Sequence, residues 1–494
     1  MQDIIENPLY LEEHLGLPIP GNIHAVSVCL PTWSSVVNYE ENDEVLKAKL
    51  QSGYPRFVLN PVTLQLIEYA KNKMNIKSSR YILPYPSRHI ATECMKYIRF
   101  KSSSDKVEII KLKGSSVYLV VFAKDLKDFA WEFWQHTGQG LSSRQAEAIL
   151  IGKKEKSEEA LNKRIKSVVS KLKDVYKCSS SDVYLFQSGM AAIYHAFKAI
   201  SSRSPKKKTI QVGFPYVDSL KVQQKFGPGC ELITDLETAT EKLNELLASG
   251  LYAGVFTEIP SNPLFQTPDL KKIYEITQQY KVPFVVDDTI STGYNTRTLP
   301  YCDIVVSSLT KNFSGTGDVM AGTAILNKKS CLYGDLDKQF IIQYRNAMFY
   351  KDVKVLDKNS DDAEIRIAEC GHNAEIIADF LKGCSEVADV FYPKYQNHDI
   401  YKKFKRKKGS YGSTFSVVFK DPEFAKKFFD NLKVSKGPSL GTNYSLACPF
   451  TLLAHYNELD WAKECGVPSH LIRISVGLEN TKVLIQRFKD AINA

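Results

Sequence analysis

The stretch VSSLTKNFSGTGDVMAG (306–322) places a lysine where it could do chemistry. Lys311 follows an apolar run that is typical of a strand, Ser308 and Thr310 stand just before it, and several glycines follow it. A lysine that opens a loop is most often a solvated surface residue. A lysine amine held among hydroxyl groups can also act as a nucleophile or proton carrier, provided that the rest of a site lies nearby. The other predicted strands must decide between these interpretations.

Two other predicted strands end in residues that could hold an anion and a cation. The run VYLFQ (183–187) leads into Ser188, a good helix cap, and then into Gly189 and Met190. Glycine lets the backbone approach an anion closely, so this helix start predicts a phosphate site, although a plain helix cap explains it when it is considered alone. The run PFVVDD (283–288) ends in Asp287 and Asp288. One of them should face a cation, because two adjacent acids cannot both be buried cheaply.

A further strand end completes the set. The run AGVFTEI (253–259) is followed by PSNP (260–263), a rigid turn that would hold Asn262 in one orientation. A phosphate cradle, a buried acid and a lysine in one cleft describe a pyridoxal phosphate site, in which the acid keeps the pyridine nitrogen protonated. Nucleotide cofactors fit less well, because the sequence has neither GxGxxG after its first strand nor GxxxxGK[ST].

These strand ends meet only if the chain folds as an α/β domain. From 183 to 309, strands alternate with helices and several strands are apolar throughout, which predicts a mostly parallel sheet covered on both faces. Helices at 40–50 and 61–74 and a hairpin at 106–123 predict an extended α/β region before it, and a smaller α/β domain follows it. The predicted domains are residues 1–150, 151–375 and 376–494.

Length, charge and cysteine content narrow the class of protein. A chain of 494 residues is too long for one hydrophobic core. Its start, MQDIIENPLY, is unlike a signal peptide and no apolar run approaches the ~20 residues of a membrane span, so we expect an intracellular protein. The ten cysteines are scattered, which favours free thiols and no metal site. The net charge of +10 gathers in KKFKRKK (402–408), where a solvated surface is a simpler explanation than nucleic-acid binding or nuclear import.

Together, these motifs resemble the Cys/Met-metabolism family of pyridoxal phosphate enzymes, which includes cystathionine γ-synthase, the cystathionine lyases and the O-acylhomoserine sulfhydrylases. The family pattern S-x-T-K-x-x-x-G-x-x-D-V-x-x-G is similar to residues 308–322. Further similar segments follow the family's order: SGMAAI (188–193), EIPSNP (258–263), VDDT (286–289) and RISVGLE (473–479). The segments HAVSVCLPTW (24–33), SGYPRF (52–57) and FWQHTGQGLSSRQAE (133–147) resemble the extended fungal cystathionine γ-synthases of this family.

The resemblance implies an α/β fold-type I transferase that binds pyridoxal 5′-phosphate, with a large mostly parallel sheet domain, a smaller C-terminal α/β domain and an extended N-terminal α/β region. It implies that Lys311 forms the Schiff base with the cofactor, that Asp287 pairs with the pyridinium nitrogen, and that Tyr216 stacks on the ring and assists Lys311. The other residues that it implies are the phosphate ligands Gly189, Met190, Ser308 and Thr310, the ring-oxygen ligand Asn262, the substrate-carboxylate ligand Arg473, and Ser439 near substrate and lysine.

The sequence departs from the family pattern at several points. A Tyr-x-Arg motif that reaches the phosphate of the neighbouring subunit is expected ahead of the SGM helix, and the stretch just before that helix lacks it; Trp134, His136 and Arg144 are candidate replacements. The family's Y-G-G-T is YVDS (216–219) here. A common glutamate is Tyr444, so we expect the distal end of the substrate to meet a different environment.

The leading functional expectation is γ-replacement, in which cysteine displaces the acyloxy group of an O-acyl-homoserine and gives cystathionine. Three alternatives stay open: γ-replacement with sulfide or a carbon nucleophile, cystathionine lysis, and a non-catalytic binding protein on the same fold. The implied partners are small amino-acid substrates and further copies of the chain, as a homodimer or homotetramer, without membrane or nucleic acid. The implied location is the cytoplasm, with the nucleus as a second location in some relatives.

Overall fold

The computed structural model of the protein describes residues 3–153 and 156–494. Its first segment packs on the C-terminal domain: the Trp33 ring lies edge-on to Phe429 at 6.2 Å, and the Leu30 N–H donates to the Lys436 carbonyl at 3.0 Å. The chain then turns back through residues 51–60 toward the large domain. The elements of this first segment are a 3₁₀ turn at Glu12–His14, β1 (Pro18–Ile19), β2 (Ser27–Val28), α1 (Trp33–Glu40) and α2 (Glu44–Lys49).

A small antiparallel sheet with the order β3-β5-β4 follows, and it contains the predicted hairpin. The predicted helix at 61–74 is confirmed; Asn60 caps its start and Asn75 ends it in a left-handed conformation. The predicted helix at 40–50 is shorter, at Glu44–Lys49. The elements are α3 (Pro61–Met74), β3 (Arg80–Tyr85), α4 (Arg88–Ser102), β4 (Val107–Lys111), β5 (Tyr118–Ala123), a 3₁₀ turn at Lys124–Leu126, α5 (Lys127–Thr137) and α6 (Ser143–Leu150).

The large domain is built on the predicted mostly parallel sheet, with the strand order β6-β12-β11-β10-β9-β7-β8. Only β12 among these strands is antiparallel to its neighbours. The elements are α7 (Glu158–Tyr176), a 3₁₀ turn at Ser180–Asp182, β6 (Val183–Phe186), α8 (Gly189–Ser201), β7 (Lys208–Val212), α9 (Val217–Lys225), β8 (Cys230–Ile233), α10 (Ala239–Ala248), β9 (Tyr252–Glu258), α11 (Leu270–Gln279), β10 (Phe284–Asp287), α12 (Thr292–Asn295), a 3₁₀ turn at Leu299–Tyr301, β11 (Ile304–Ser308), β12 (Gly322–Leu326), α13 (Tyr333–Gln343), α14 (Tyr350–Asn359) and α15 (Ala363–Lys382).

Both faces of the large sheet are buried, as the continuous apolar strands predict. Along β10, Phe284 and Val286 join one hydrophobic cluster, and Val285 joins the cluster on the opposite face. Helix α8 belongs to the second cluster and is buried on nearly every side. Its start is therefore fixed firmly against the ends of the central strands.

The C-terminal domain has a five-stranded sheet with the order β13-β14-β17-β16-β15, in which only β15 and β16 pair in parallel. The described helices include none that is long and apolar enough to span a membrane. The predicted boundaries near 150 and 375 stay predictions. The elements are β13 (Val387–Phe391), α16 (His398–Phe404), β14 (Thr414–Phe419), α17 (Pro422–Asn431), β15 (Ser435–Lys436), β16 (Leu446–Pro449), α18 (Phe450–His455), a 3₁₀ turn at Tyr456–Glu458, α19 (Leu459–Glu464), β17 (Ile472–Ser475) and α20 (Thr481–Ile492).

Candidate active site

A cavity of about 600 Å³ opens where the carboxyl ends of β6, β9, β10 and β11 meet the C-terminal sheet and the first segment of the chain. It therefore lies where open α/β sheets bind their ligands. Nearly all of the sequence-predicted site residues line it; these are Gly189, Met190, Tyr216, Asn262, Asp287, Ser308, Thr310, Lys311 and Arg473. Ser439 contacts Lys311 directly.

Lys311 is buried, with 8% of its surface exposed, so the interpretation as a solvated loop lysine is wrong. Its Nζ donates to the hydroxyl groups of Tyr54 and Ser439, at 3.0 Å each. The same amine lies 4.8 Å from the centroid of the Tyr54 ring. Burial lowers the pKa of Lys311, because an ammonium group loses its hydration there. A buried amine with a lowered pKa is suited to act as a nucleophile and as a base.

Asp287 faces this cavity without a cationic partner among the described residues. Its Oδ1 accepts the N–H of Thr289 at 2.9 Å, and Glu258 lies beside it in register on the neighbouring parallel strand. Burial raises the pKa of Asp287. A cationic ligand group would offset that penalty. Asp288 accepts the Tyr176 hydroxyl at 3.0 and 2.9 Å, and the charge of Arg406 acts to lower its pKa, so of the two acids it is Asp287 that lacks a cation among the described side chains.

The start of α8 forms the predicted anion cradle. Gly189 and Met190 are the first residues of the helix, so their N–H groups have no helical carbonyl one turn earlier. The Ser188 hydroxyl caps the helix, accepting the Ala191 N–H at 3.0 Å. A Cβ on Gly189 would lie 2.7 Å from the Cβ of Ser308, so the strand end packs directly on the helix start and no side chain fits between them.

The Thr310 hydroxyl closes the loop behind this cradle. It accepts the Ala321 N–H at 3.0 Å and donates to the Ala321 carbonyl at 3.3 Å. The side chain also lines the cavity. Its hydroxyl is thus already engaged within the protein, whereas the N–H groups at the start of α8 are the more available donors for an anion.

Arg473 lies on β17 at the wall formed by the C-terminal domain. Its Nη1 donates to the Asn262 Oδ1 at 3.3 Å and its Nη2 donates to the Pro438 carbonyl at 2.7 Å. The guanidinium also stacks over the Phe450 ring, 4.6 Å from its centroid. These contacts hold a planar cation at the cavity surface with N–H groups to spare, which suits bidentate binding of a carboxylate.

The structure locates the Tyr-x-Arg motif that the sequence lacks next to the SGM helix. The Tyr-x-Arg motif is present as Tyr54-Pro55-Arg56, in the stretch that leads from the first segment to the cavity, and both Tyr54 and Arg56 line it. Of the suggested replacements, Trp134, His136 and Arg144, none is among the residues that line this cavity in the described part of the chain. The signal was visible, because SGYPRF (52–57) contains the motif. It stands far ahead of the SGM helix in the sequence.

Arg56 is fixed by charge and by hydrogen bonds. Its Nη1 lies 2.5 Å from the Asp218 Oδ2, its Nη2 donates to the Tyr216 hydroxyl, and its backbone φ is +81°, which non-glycine residues rarely adopt. His136 approaches the other Asp218 oxygen, with Nδ1 at 2.8 Å. Burial would raise the pKa of Asp218, but Arg56 and His136 outweigh it and lower that pKa to about 2. The YVDS segment thus holds the arginine of the Tyr-x-Arg motif.

Tyr444 replaces the family's glutamate but is not among the residues that line the cavity, so that its own side chain does not provide the different environment expected at the distal end of the substrate. The Tyr444 side chain is 1% exposed and packs with Leu9, Ile19 and Cys29. Its hydroxyl donates to the Thr316 carbonyl at 3.4 Å. Other residues must therefore contact the distal part of a ligand.

The basic run 402–408 is partly built into the fold. Phe404 is buried, and Lys403 Nζ lies 2.9 Å from an oxygen of Asp269. Arg406 donates to the carbonyls of Gly293 and Val175, at 2.6 Å each. The run is therefore not a free basic tail. Among the described residues, no group of His, Cys, Asp and Glu is placed to hold a metal ion, and the ten cysteines are unpaired.

The residues of the cavity fit pyridoxal phosphate. The start of α8 offers N–H groups to a phosphate, the carboxylate of Asp287 lacks a cation that a protonated ring nitrogen would supply, and the amine of Lys311 lies in the same cavity. No described side chain supplies an anion to the start of α8 or a cation to Asp287. A phosphate and a protonated ring nitrogen would supply them, and the aldehyde of the same cofactor would react with the amine of Lys311.

Comparisons with known proteins agree with this fit. Residues 158–493 match the family described as Cys/Met metabolism PLP-dependent enzyme, and residues 63–142 match the N-terminal domain of fungal trans-sulfuration enzymes. A cystathionine gamma-synthase from Neurospora crassa is 33% identical, over 97% of this chain and 98% of its own. The cystathionine gamma-synthase-like enzyme iboG2 of Amanita muscaria is 31% identical, over 97% and 96%. In fold, the cystathionine gamma synthase from Xanthomonas oryzae pv. oryzae superposes with a TM-score of 0.59 at 22% identity, over 68% of this chain and 88% of that one.

Proposed function

The chain belongs to the Cys/Met-metabolism family of pyridoxal phosphate-dependent enzymes, and from that premise we propose that it is a cystathionine γ-synthase. In the proposed reaction an O-acyl-L-homoserine and L-cysteine give cystathionine and a carboxylic acid. The Cγ–O bond of the ester breaks and a Cγ–S bond forms, so atoms and charges balance without an added oxidant or reductant. One observation carries the proposal: similarity to cystathionine γ-synthases covers 97% of the chain. The cavity that Lys311, Asp287 and Arg473 share supports it.

The cofactor would be held at its two ends by groups of this chain. The N–H groups of Gly189 and Met190, with the Ser308 hydroxyl, would receive the phosphate, and Asp287 would face the ring nitrogen. When bound, pyridoxal phosphate supplies an electron sink that stabilises negative charge at the α carbon of an amino acid. Asp287 supports that role, because its carboxylate favours a protonated ring nitrogen.

Arg473 binds the α-carboxylate of the amino-acid substrate in this proposal. Its guanidinium is fixed by Asn262 and by the Pro438 carbonyl, so a carboxylate would meet a donor pair that is already oriented. With its carboxylate bound by Arg473, the substrate would have its α carbon on the side of the cavity where Lys311 is held. The substrate is then positioned for transfer of its α proton.

Lys311 moves the protons. Its amine, with a pKa lowered by burial, takes the α proton and returns it after the γ substituents have exchanged. Tyr54 and Ser439 orient the amine through their hydroxyl groups at 3.0 Å. The burial of this end of the cavity excludes water, which would otherwise compete with the thiol at the γ carbon.

A direct test mixes the protein, loaded with pyridoxal phosphate, with cysteine and either O-acetyl- or O-succinyl-homoserine. Cystathionine should form with one of the esters, and the Lys311→Ala variant should form at least ~1000-fold less, because it lacks the proton carrier. The absence of cystathionine with both esters would reject the proposal.

A second candidate is γ-replacement with sulfide or a carbon nucleophile, or cystathionine lysis, on the same cofactor. It is favoured by the YVDS segment, in which Asp218 binds Arg56 where the family pattern has glycine. Product analysis with sulfide, carbon acids and cystathionine would separate it from the first candidate. If the protein is inert toward all of them, the second candidate is excluded.

The oligomeric state of the protein is a further proposal. A homodimer or homotetramer is proposed from the family resemblance, but the Tyr-x-Arg motif gives it no support, because the same chain supplies that motif to the cavity. Light scattering at assay concentration tests the assembly.

The cytoplasm is the proposed location. Nuclear import would require the basic run 402–408 to act as the import signal, and Phe404 and Arg406 of that run are engaged in the fold.

A further inference from the structure

The active-site cavity is also lined by charged residues that the proposed chemistry does not use. Helix α1 ends at Glu40, and Glu40 lines the cavity together with Lys47 of α2. Lys311 and Arg473, at the other end, are 8% and 4% exposed, whereas Glu40 is half-buried and Lys47 is exposed. Glu40 and Lys47 are thus the more exposed of these four lining residues.

Glu40 differs from the other acids of the cavity. The carboxylate of Glu258 accepts the Tyr216 N–H at 2.6 Å, and that of Asp287 accepts the Thr289 N–H at 2.9 Å. The Glu40 carboxylate has no hydrogen-bond or ion-pair partner among the described residues. Burial raises the pKa of Glu40 to about 7, and no neighbouring cation offsets that rise. A half-buried acid that faces a cavity without a partner is suited to receive a cation from a ligand.

Lys47 offers the opposite charge on the same side. Its Nζ has one ion-pair contact among the described residues, with the exposed Glu44 at 3.7 Å, and a pair of that kind is weak and easily exchanged. Of the two arginines that line the cavity, Arg56 is paired with Asp218, and Arg473 is assigned to the α-carboxylate of the first substrate. The cavity lining thus presents one acid without a partner and one weakly paired cation.

We infer that Glu40 and Lys47 form a subsite that binds the ammonium and the carboxylate of an amino-acid thiol, the second substrate of the reaction. This inference rests on the proposed function and adds the residues that would select the nucleophile. A zwitterionic thiol gains one ion pair with each residue, whereas hydrosulfide has neither group and gains nothing. Tyr444 cannot serve here, because it is buried outside the cavity.

The test compares thiols that differ by one charged group, on the full-length protein loaded with cofactor and saturated with the homoserine ester that it uses. Cysteine has both groups, and 3-mercaptopropionate keeps the thiol and the carboxylate but lacks the ammonium. KM is measured for cysteine, and the inhibition constant of 3-mercaptopropionate is measured against cysteine. Glu40→Gln should raise the KM of cysteine about 10-fold with kcat nearly unchanged, and should leave the inhibition constant of 3-mercaptopropionate within 2-fold.

Two further variants make the pattern specific. Lys47→Met should weaken both cysteine and 3-mercaptopropionate, because both carry the carboxylate. Glu41→Gln is the matched control: Glu41 is the next residue, is exposed and accepts the Tyr456 hydroxyl at 2.6 Å, and it should change neither constant.

The outcomes separate this inference from the proposed function. If cystathionine forms but Glu40→Gln affects the two thiols equally, or neither of them, the subsite is refuted and the proposed function stands. If the unmodified protein forms no cystathionine from either ester, both are refuted. The subsite is supported if Glu40→Gln changes the KM of cysteine but not the inhibition constant of 3-mercaptopropionate, and if Lys47→Met changes both constants.

Discussion

The Nζ of Lys311 lies 3.0 Å from the hydroxyl of Tyr54, although the two residues are 257 positions apart in the chain. The lysine comes from the loop after β11, and the tyrosine comes from the segment that returns from the C-terminal domain. Burial would raise the pKa of Tyr54, but Lys311 and Arg56 outweigh it and lower that pKa. The first segment of the chain thus contributes directly to the environment of the reactive amine.

Replacing Tyr54 with phenylalanine removes one hydrogen bond from the Lys311 amine and keeps the ring. A hydrogen bond to a charged group contributes about 1.5–3 kcal/mol, so we expect kcat to fall about 10- to 100-fold. Cofactor absorbance should persist, because the residues proposed to hold the cofactor are unchanged. The control is Tyr69→Phe, whose partly exposed hydroxyl contacts Lys73 outside the cavity. A Tyr54→Phe variant as active as the unmodified protein would contradict the assigned contact.

Arg56 allows a test of which subunit completes the cavity. Each chain supplies its own Arg56, so coexpression of Arg56→Ala with Lys311→Ala chains should restore no activity. If Arg56 instead served a neighbouring subunit, mixed dimers would contain one intact site, and activity would return to about a quarter of normal in a statistical mixture. Native mass spectrometry of the mixture confirms that mixed assemblies have formed, and restored activity in them would overturn the assignment.

Gly189 should tolerate no side chain. An alanine there would place its Cβ 2.7 Å from the Ser308 Cβ and 2.9 Å from its Oγ, which would displace the start of α8. We expect cofactor affinity to fall at least ~10-fold, measured by absorbance titration, because the N–H groups of the cradle move with the helix. Gly334→Ala is the control, since a Cβ at Gly334 would meet nothing within 4 Å. Equal affinities of the two variants would argue against the cradle.

Lys436 should give the protein a measurable dependence of stability on pH. The side chain is fully buried, and its Nζ donates to the carbonyls of Pro31 and Phe429. Burial lowers its pKa from 10.5 to about 7. Between these values the unfolded chain holds the proton and the folded chain does not, so the contribution of Lys436 to the free energy of unfolding rises with pH by up to about 1.4 kcal/mol per unit.

Urea unfolding between pH 7.5 and 9.5 checks this sign. The difference in free energy of unfolding between the unmodified protein and Lys436→Met should move in favour of the unmodified protein as pH rises. Lys433→Met is the matched control, because the Lys433 side chain is half exposed and lies 3.9 Å from Asp490. Parallel pH curves for the unmodified protein and Lys436→Met would show that the amine is not perturbed in the fold.

The sequence predicted the parts of the site that depend on local order. Lys311 and Asp287 stand at strand ends, and a parallel sheet brings such ends together whatever the lengths of the connections. Tyr54 and Arg56 could not be placed from the sequence, because the domain matched at 63–142 separates them from the SGM helix. Distance along the sequence does not show which residues are close in the folded protein. The antiparallel β12 was also unpredicted, since the short run GTAIL carries no information on strand direction.

Tyr444 illustrates the opposite error. A substitution within a family motif predicts a change in the site, whereas the side chain packs in a cluster with Leu9 and Ile19 from the first segment. Which face of a loop residue is buried depends on what packs over it. Here the covering residues come from the other end of the chain, and Glu40 from that same segment takes a place in the cavity instead.

The central claim is that Lys311 is the amine that holds the cofactor. Borohydride reduction of the protein loaded with pyridoxal phosphate fixes the cofactor on the lysine that carries it, and peptide mass spectrometry then identifies that lysine. The account predicts one pyridoxyl group per chain, located on Lys311 and lost in Lys311→Ala. A label on another lysine, or undiminished labelling of Lys311→Ala, would contradict it.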